Sequence, residues 1–264
     1  MIMKWNSRIN KITKIICFII VIFLITFLIV SGFIIQSGKK TKSIIEDFKN
    51  RGELVYVYEG IEYYKVKKEH EYEDTSNRIY STSSVLDDSK TFTDKKIGTT
   101  GDVYITSNDP FGTMYTKWAS KRIKIGHCGI VYDEYADTMV EVYGNKVDNI
   151  VDKHENDWNE LSKNELIIIR KKEYINKKEI IDWLDSKMGL KYNYLFFLNP
   201  KNRFYCTSLV SKCYEETQDN HISNNNIFVT GASMINNDNT YIIYYKEKVN
   251  ELDINYRIYF LSEE

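Results

Sequence analysis

Residues 15–35 form an apolar run of 21, interrupted only by Thr26, Ser31 and Gly32. A helix of that length spans the roughly 30 Å hydrocarbon core of a bilayer at about 1.5 Å per residue. The rival reading is a cleavable signal peptide, whose apolar core is about 7–15 residues and ends in a small-x-small site. Ser31-Gly32-Phe33 is a poor version of such a site, and the apolar run continues past it, so length favours a retained anchor. Lys4, Arg8, Lys11 and Lys14 precede the run, and Lys39, Lys40 and Lys42 follow it. This slight excess on the N-terminal side predicts a single pass with the N-terminus inside. The remainder is then extracytoplasmic, at a bacterial-type cell membrane.

The net charge of −1 hides an asymmetry that bears on partners. Residues 1–42 hold seven Lys/Arg and no acid, which leaves 29 of the 36 Lys/Arg against all 37 Asp/Glu, a net of −8 for residues 43–264. A mildly acidic domain lacks the basic face that nucleic-acid binding requires. The four cysteines form no CxxC metal pair. Cys206 and Cys213 lie seven apart on one expected helix, about 10 Å along its axis, too far for a disulfide.

Beyond the apolar run, residues 41–50 predict a short amphipathic helix, with Ile44, Ile45 and Phe48 on one face. Residues 54–58 and 61–66 flank Glu59-Gly60 and read as a β-hairpin. Residues 67–98 are polar and without period, and are expected to be a loop. These parts, residues 36–97, separate the basic flank (1–14) and the span (15–35) from a folded domain over 98–264. In that domain, strands are expected at 103–105, 124–132, 138–143, 166–170, 242–245 and 256–260. A short helix is expected within 109–120, another over 176–188 ending at Gly189, and a third opening on Cys206. Strands around one central helix make an α+β domain.

The helix that opens on Cys206 buries a face carrying Leu209, Val210 and Cys213. A thiol in a first helical turn sits against unpaired N–H groups and the positive end of the helix dipole, both of which favour the attacking thiolate. Cys206 is therefore the candidate nucleophile, and His127 in Gly126-His127-Cys128-Gly129 is its candidate base. His127 and Glu141 fall 14 apart on adjoining strands. An antiparallel hairpin centred near Glu134 would set them directly opposite on one face, about 5 Å apart, so that the carboxylate steers the ring. Cys128, Ile130, Val140 and Val142 then fall on the other face as packing. Cys213 reads as an inert core thiol, and His70, His154 and His221, in polar segments, read as surface residues.

The motifs Gly101-Asp102, Gly126-His127-Cys128-Gly129-Ile130-Val131, Val140-Glu141-Val142, Gly189-Leu190-Lys191-Tyr192-Asn193 and Tyr205-Cys206-Thr207-Ser208-Leu209-Val210 occur in this order. Together they resemble the permuted papain-like amidases of the YaeF/YiiX type, relatives of NlpC-type cell-wall peptidases and of lecithin:retinol acyltransferase. The resemblance covers about residues 98–245 and implies a permuted papain-like (NlpC-type) fold, an antiparallel sheet against the cysteine helix. It implies Cys206 as nucleophile, His127 as base, Glu141 as the residue that orients it, and Tyr192 as a substrate-binding residue lining the site. Ser208 departs from the Glu common in relatives, and Asn193 from the Asp.

These readings converge on a membrane-anchored cysteine hydrolase that cleaves an amide or ester through an acyl-enzyme, with no cofactor or metal. The expected substrate is a cell-wall peptide or a lipid or N-acyl amide. The alternative from another class is a catalytically silent papain-like module that binds cell-wall or lipid ligands. A purely structural membrane protein would leave the His127, Glu141, Cys206 set without a purpose.

Overall fold

Ile2–Asn50 make one unbroken helix, α1, in a computed structural model. The structure describes residues 2–58, 60–68, 98–107, 113–133, 137–144, 148–158, 165–196, 202–218, 221–224, 228–249 and 255–261, with side chains from residue 13 onward. The expected break near residues 36–40 does not occur. Gln36-Ser37-Gly38-Lys39-Lys40 contains no proline, and its single glycine costs a helix only about 1 kcal/mol. Gly38 also has a use there, since a Cβ would come within 2.7 Å of Arg122. The best 18-residue window in α1 is only 6% buried, which separates it from a core helix and leaves α1 a candidate membrane span. Its last turns differ: Ile45 and Phe48 are buried in the main core.

The hairpin expected next forms as β1 (Gly52–Tyr58) and β2 (Ile61–Val66), with Gly60 at φ +80° in the turn. It joins the main sheet, because β2 pairs in parallel with the last strand, β11 (Tyr256–Leu261). The expected loop at 67–98 falls, over 69–97, outside the described residues. The chain continues with β3 (Val103–Thr106), α2 (Met114–Ile123), β4 (His127–Asp133), β5 (Thr138–Val142), β6 (Val151–Glu155) and β7 (Glu165–Lys171). After α3 (Lys177–Asp185) come two short paired strands, β8 (Lys191–Tyr192) and β9 (Arg203–Phe204), then α4 (Cys206–Thr217), α5 (Gly231–Ile235) and β10 (Thr240–Lys248). Among the described residues, nine strands make one sheet in the order β1-β2-β11-β10-β7-β3-β4-β5-β6, antiparallel at every pairing but β2–β11. The architecture is mixed α+β around a large sheet.

Further elements differ from expectation. The strand drawn from Lys124 begins at His127, because Lys124 caps α2 in the left-handed region at φ 52°. Strand β6 and the five-residue α5 were absent from the sequence reading. In β6, Val151 is its one buried residue, so no alternation announces the strand.

Sheet and helices meet over a continuous apolar core. Ile167, Ile168 and Ile169 of β7 are buried on both faces, as are Leu209, Val210 and Cys213 of α4. The end of α4 is tied to the start of β3: the Tyr214 hydroxyl donates to the Gly101 carbonyl at 2.5 Å. Next to it, Asp102 accepts both prongs of the Arg170 guanidinium at 2.8 and 2.7 Å and the Thr99 N–H at 2.7 Å. The Gly101-Asp102 motif thus anchors the mouth of the sheet.

Candidate active site

Cys206 is the first residue of α4, and its placement is built locally. Tyr205 is the N-cap, in extended conformation at φ −97°, ψ 163°. Ser208, three residues on, accepts the Tyr205 backbone N–H at 2.9 Å, the return arm of a capping box. A Glu at this position could make the same bond, so Ser208 keeps the cap. The Tyr205 hydroxyl in turn accepts the Val229 N–H at 3.0 Å. Strand β9 feeds the cap from upstream, and its pairing with β8 sets Tyr192 across from Phe204, two residues before the cysteine. The charge of Cys206 is felt at Tyr192, whose pKa is pushed up, chiefly by burial. The other departure, Asn193, is buried: its N–H donates to the Phe204 carbonyl and its side chain accepts the Leu195 N–H.

His127 opens β4, and its ring engages both expected partners. Its Nε2 lies 2.6 Å from Glu141 Oε2. The Cys206 thiol lies near enough to the ring to raise its pKa. With Nε2 committed to the carboxylate, Nδ1 is the nitrogen left for sulfur. The three residues singled out in the sequence therefore meet at one place.

The manner of meeting is not the one expected. Glu141 stands opposite Gly129, not His127, because the two strands pair two residues away from the expected register. An even shift keeps every side chain on its face, so His127 and Glu141 become diagonal neighbours and still reach each other. Gly129, which has no side chain, leaves the carboxylate room to lean across; a Cβ there would touch Met139, Trp158 and Glu141 at 3.1, 3.2 and 3.6 Å. Continued by two residues, the register sets Tyr143 across from His127. Its ring stacks on the imidazole at 3.9 Å between centroids, and Trp158 stacks on it at 5.2 Å. These two aromatic rings fix the plane of the imidazole and favour its cationic form.

The structure also corrects His154, which is no surface residue. It lies on β6 with its Nε2 2.5 Å from Glu141 Oε1, a close ion contact set off the line of an ideal hydrogen bond. Its Nδ1 donates to the Glu155 carbonyl at 2.6 Å. Glu141, 1% exposed, is thus held between two imidazoles. Of the remaining histidines, His221 is exposed as expected, and His70 lies outside the described residues.

The electrostatics follow from this bridge. Burial alone would lower the His127 pKa, but hydrogen bonds and charge from Cys206 and Glu141 override it and raise the value to about 9. Burial opposes ionisation of Glu141, yet the two histidines hold its carboxyl well below the usual carboxylate range. His154 is raised in the same way, against its burial, by Glu141 and the Glu155 carbonyl. Cys128 and Cys213 are fully buried, and burial pushes both thiols up; all four cysteines are free. A buried carboxylate pinning a basic imidazole beside a helix-start thiol is the arrangement that proton transfer from sulfur needs. Among the described residues, no three His, Cys, Asp or Glu converge to hold a metal ion.

No family model matches the chain, and no curated protein matches it. Among solved structures, the chain is similar to the metalloprotein yiiX from Escherichia coli O157:H7, DUF1105, at 14% sequence identity and a TM-score of 0.43, the match covering 55% of this chain and 96% of that one.

Proposed function

We propose that the protein is a membrane-anchored thiol hydrolase with a permuted papain-like domain, acting on an amide or ester bond. The observation that carries this reading is the line Cys206–His127–Glu141, in which the imidazole lies 2.6 Å from a buried carboxylate and near enough to the thiol for Cys206 to raise its pKa. In the proposed reaction, His127 takes the Cys206 proton and the sulfur attacks the substrate carbonyl carbon. The oxyanion that forms is stabilised by first-turn N–H groups of α4, among them that of Cys206. The C–N or C–O bond then breaks, and the leaving group takes the proton from His127. Water adds to the thioester carbon, giving its proton to the same ring, and the acid product departs as sulfur recovers its proton. Glu141 holds the ring and offsets its charge throughout, and Tyr192 lines the acyl side.

The donors in this site are turned toward one another: both histidine nitrogens lie against Glu141 oxygens. They do not fit a metal, and no step is routed through one.

The position of the site favours a substrate at the bilayer surface. Lys124, which caps α2, is three residues before His127, at most about 10 Å along the chain. Helix α2 itself lies along α1 where the apolar run ends, with Arg122 against Gly38. A lipid amide or ester and a cell-wall peptide close to the membrane both satisfy this.

The test is hydrolysis of N-acyl amino acids, lipid esters and peptidoglycan peptides by the full chain and by Cys206→Ala. Turnover should fall by at least about a thousandfold in the variant, as loss of a nucleophile does elsewhere. Unchanged turnover removes the enzyme reading. Ligand binding that persists in a wild-type chain with no turnover of any substrate class favours the silent binding module.

A further inference from the structure

A groove beside α1 is lined by none of Cys206, His127, Glu141 or Tyr192. It has a volume of about 520 Å³ and is walled by α1 from Ile35 to Glu46, by α2 from Trp118 to Lys124, and by Glu165 and Tyr245 of the sheet. On α1 the lining positions 35, 38, 39, 42, 45 and 46 follow helical spacing, with Thr41 beside them, so one stripe of the helix forms the wall. The groove begins where the apolar run of α1 ends.

Its charge is one-sided. Five cations line it (Lys39, Lys42, Lys121, Arg122 and Lys124), against two acids, Glu46 and Glu165. Both acids are already occupied. Lys124 Nζ reaches the two Glu165 oxygens at 2.9 and 2.8 Å, and Lys49 lies 3.4 Å from Glu46. Among the described residues, Lys39, Lys42, Lys121 and Arg122 have no carboxylate partner. Arg122 instead lies over the Trp118 ring at 4.5 Å and donates to the Trp118 carbonyl at 3.0 Å.

Below the groove the surface turns apolar and aromatic. Tyr115 of α2 contacts Phe27, within the apolar run, with ring centroids 5.5 Å apart, and Trp118 stacks on Tyr115 at the same separation. Met114, at the tip of α2, is 90% exposed. From its Tyr115–Phe27 contact to its Arg122–Gly38 contact, α2 ascends alongside α1. Apolar and aromatic groups beside the span, with unpaired cations one to two turns above, match the layering of acyl chain, glycerol and headgroup at a bilayer surface.

We infer that this groove seats the phosphate headgroup of an anionic phospholipid, with Lys39, Lys42 and Lys121 on the phosphate and the acyl chains along Phe27, Met114 and Tyr115. The inference rests on the reading of α1 as a membrane span, not on the chemistry at Cys206. An anionic lipid here would hold α2, and through its C-cap the strand that begins at His127, at a fixed height over the membrane.

The experiment uses the full chain in detergent micelles, titrated with phosphatidylglycerol or phosphatidylcholine and read by native mass spectrometry. One tightly held phosphatidylglycerol is expected, preferred over phosphatidylcholine by at least about tenfold, since each Lys or Arg near an anionic surface contributes on the order of 1 kcal/mol. The triple variant Lys39→Gln, Lys42→Gln, Lys121→Gln should lose that preference, and the matching triple Lys→Arg variant should keep it; equal melting temperatures show that both fold. Equal binding of the two lipids, or a preference that survives the Gln variant, overturns the proposal. So does soluble glycerol phosphate displacing the lipid at equal concentration, which would make this a site for a soluble phosphate ester. Alkaline carbonate extraction of membranes separates the two readings. A chain stripped from the membrane refutes the span and the lipid seat with it, whereas a retained chain without lipid preference refutes the seat alone.

Discussion

Replacing Glu141 with Gln keeps the shape of the bridge and removes its charge, so its cost should depend on pH in a way that packing damage does not. In the folded chain His127 titrates near 9, against an ordinary value of 6.5. Those two and a half units, at about 1.4 kcal/mol each, make roughly 3 kcal/mol of stability, shared between Glu141 and Cys206 as the ring's partners. Because the folded value is the higher one, this stability is fully present below about pH 6.5 and is lost as pH rises through about 9. Glu141 has the opposite sign. Its folded value is lowered, so its share is present above 4.5 and is lost in acid. The bridge therefore contributes most between about pH 4.5 and 6.5. In Glu141→Gln the melting temperature at pH 6 should fall by up to roughly 6–12 °C, at 2–4 °C per kcal/mol for a chain of this size, and by much less at pH 10. Thermal unfolding of the full chain in detergent, followed by tryptophan fluorescence at both pH values, measures this. Equal losses at pH 6 and pH 10 would refute the ionic bridge and leave only a packing role for Glu141.

Two further outcomes are expected. Asp102→Ala removes a carboxylate that is only 1% exposed, leaves the Arg170 guanidinium without it, and should destabilise the fold by about 3–5 kcal/mol in denaturant titration; a loss under 1 kcal/mol would mean that water replaces the carboxylate. Brief iodoacetamide treatment of the native chain at pH 8, mapped by mass spectrometry, should modify Cys206 and spare Cys128 and Cys213, which are buried and whose thiols burial pushes up. Equal labelling of all three would show that the core opens readily.

The parts of the fold that could be read from the sequence are those whose side chains alternate or repeat. The isoleucines of β7 and the buried stripe of α4 announce themselves. The pairing of His127 with Glu141 was legible for a less obvious reason: parity alone decides which face a strand residue occupies, so the two-residue slip in register left the face correct and only the opposite number wrong. What stayed hidden lacked such a pattern. His154 sits on a strand whose sequence, Val-Asp-Lys-His-Glu, reads as a solvated loop, and it enters the site only because β6 pairs with β5, next to Glu141. Tyr143 and Trp158 reach the imidazole from a strand end and a loop, where no period operates. The continuity of α1 was hidden for the opposite reason: a polar, glycine-containing stretch suggested a joint that Gly38 instead uses for close contact with α2.

That unbroken helix joins the candidate span to the folded domain without a joint. At 49 residues it is roughly 74 Å of rod, and its final turns, through Ile45 and Phe48, are themselves part of the interior that the sheet closes over. No swivel stands between the apolar run and the sheet among these elements, so a tilt of the rod carries the candidate site with it. A soluble form made by trimming the chain after residue 50 would lose not a tether but a piece of the wall.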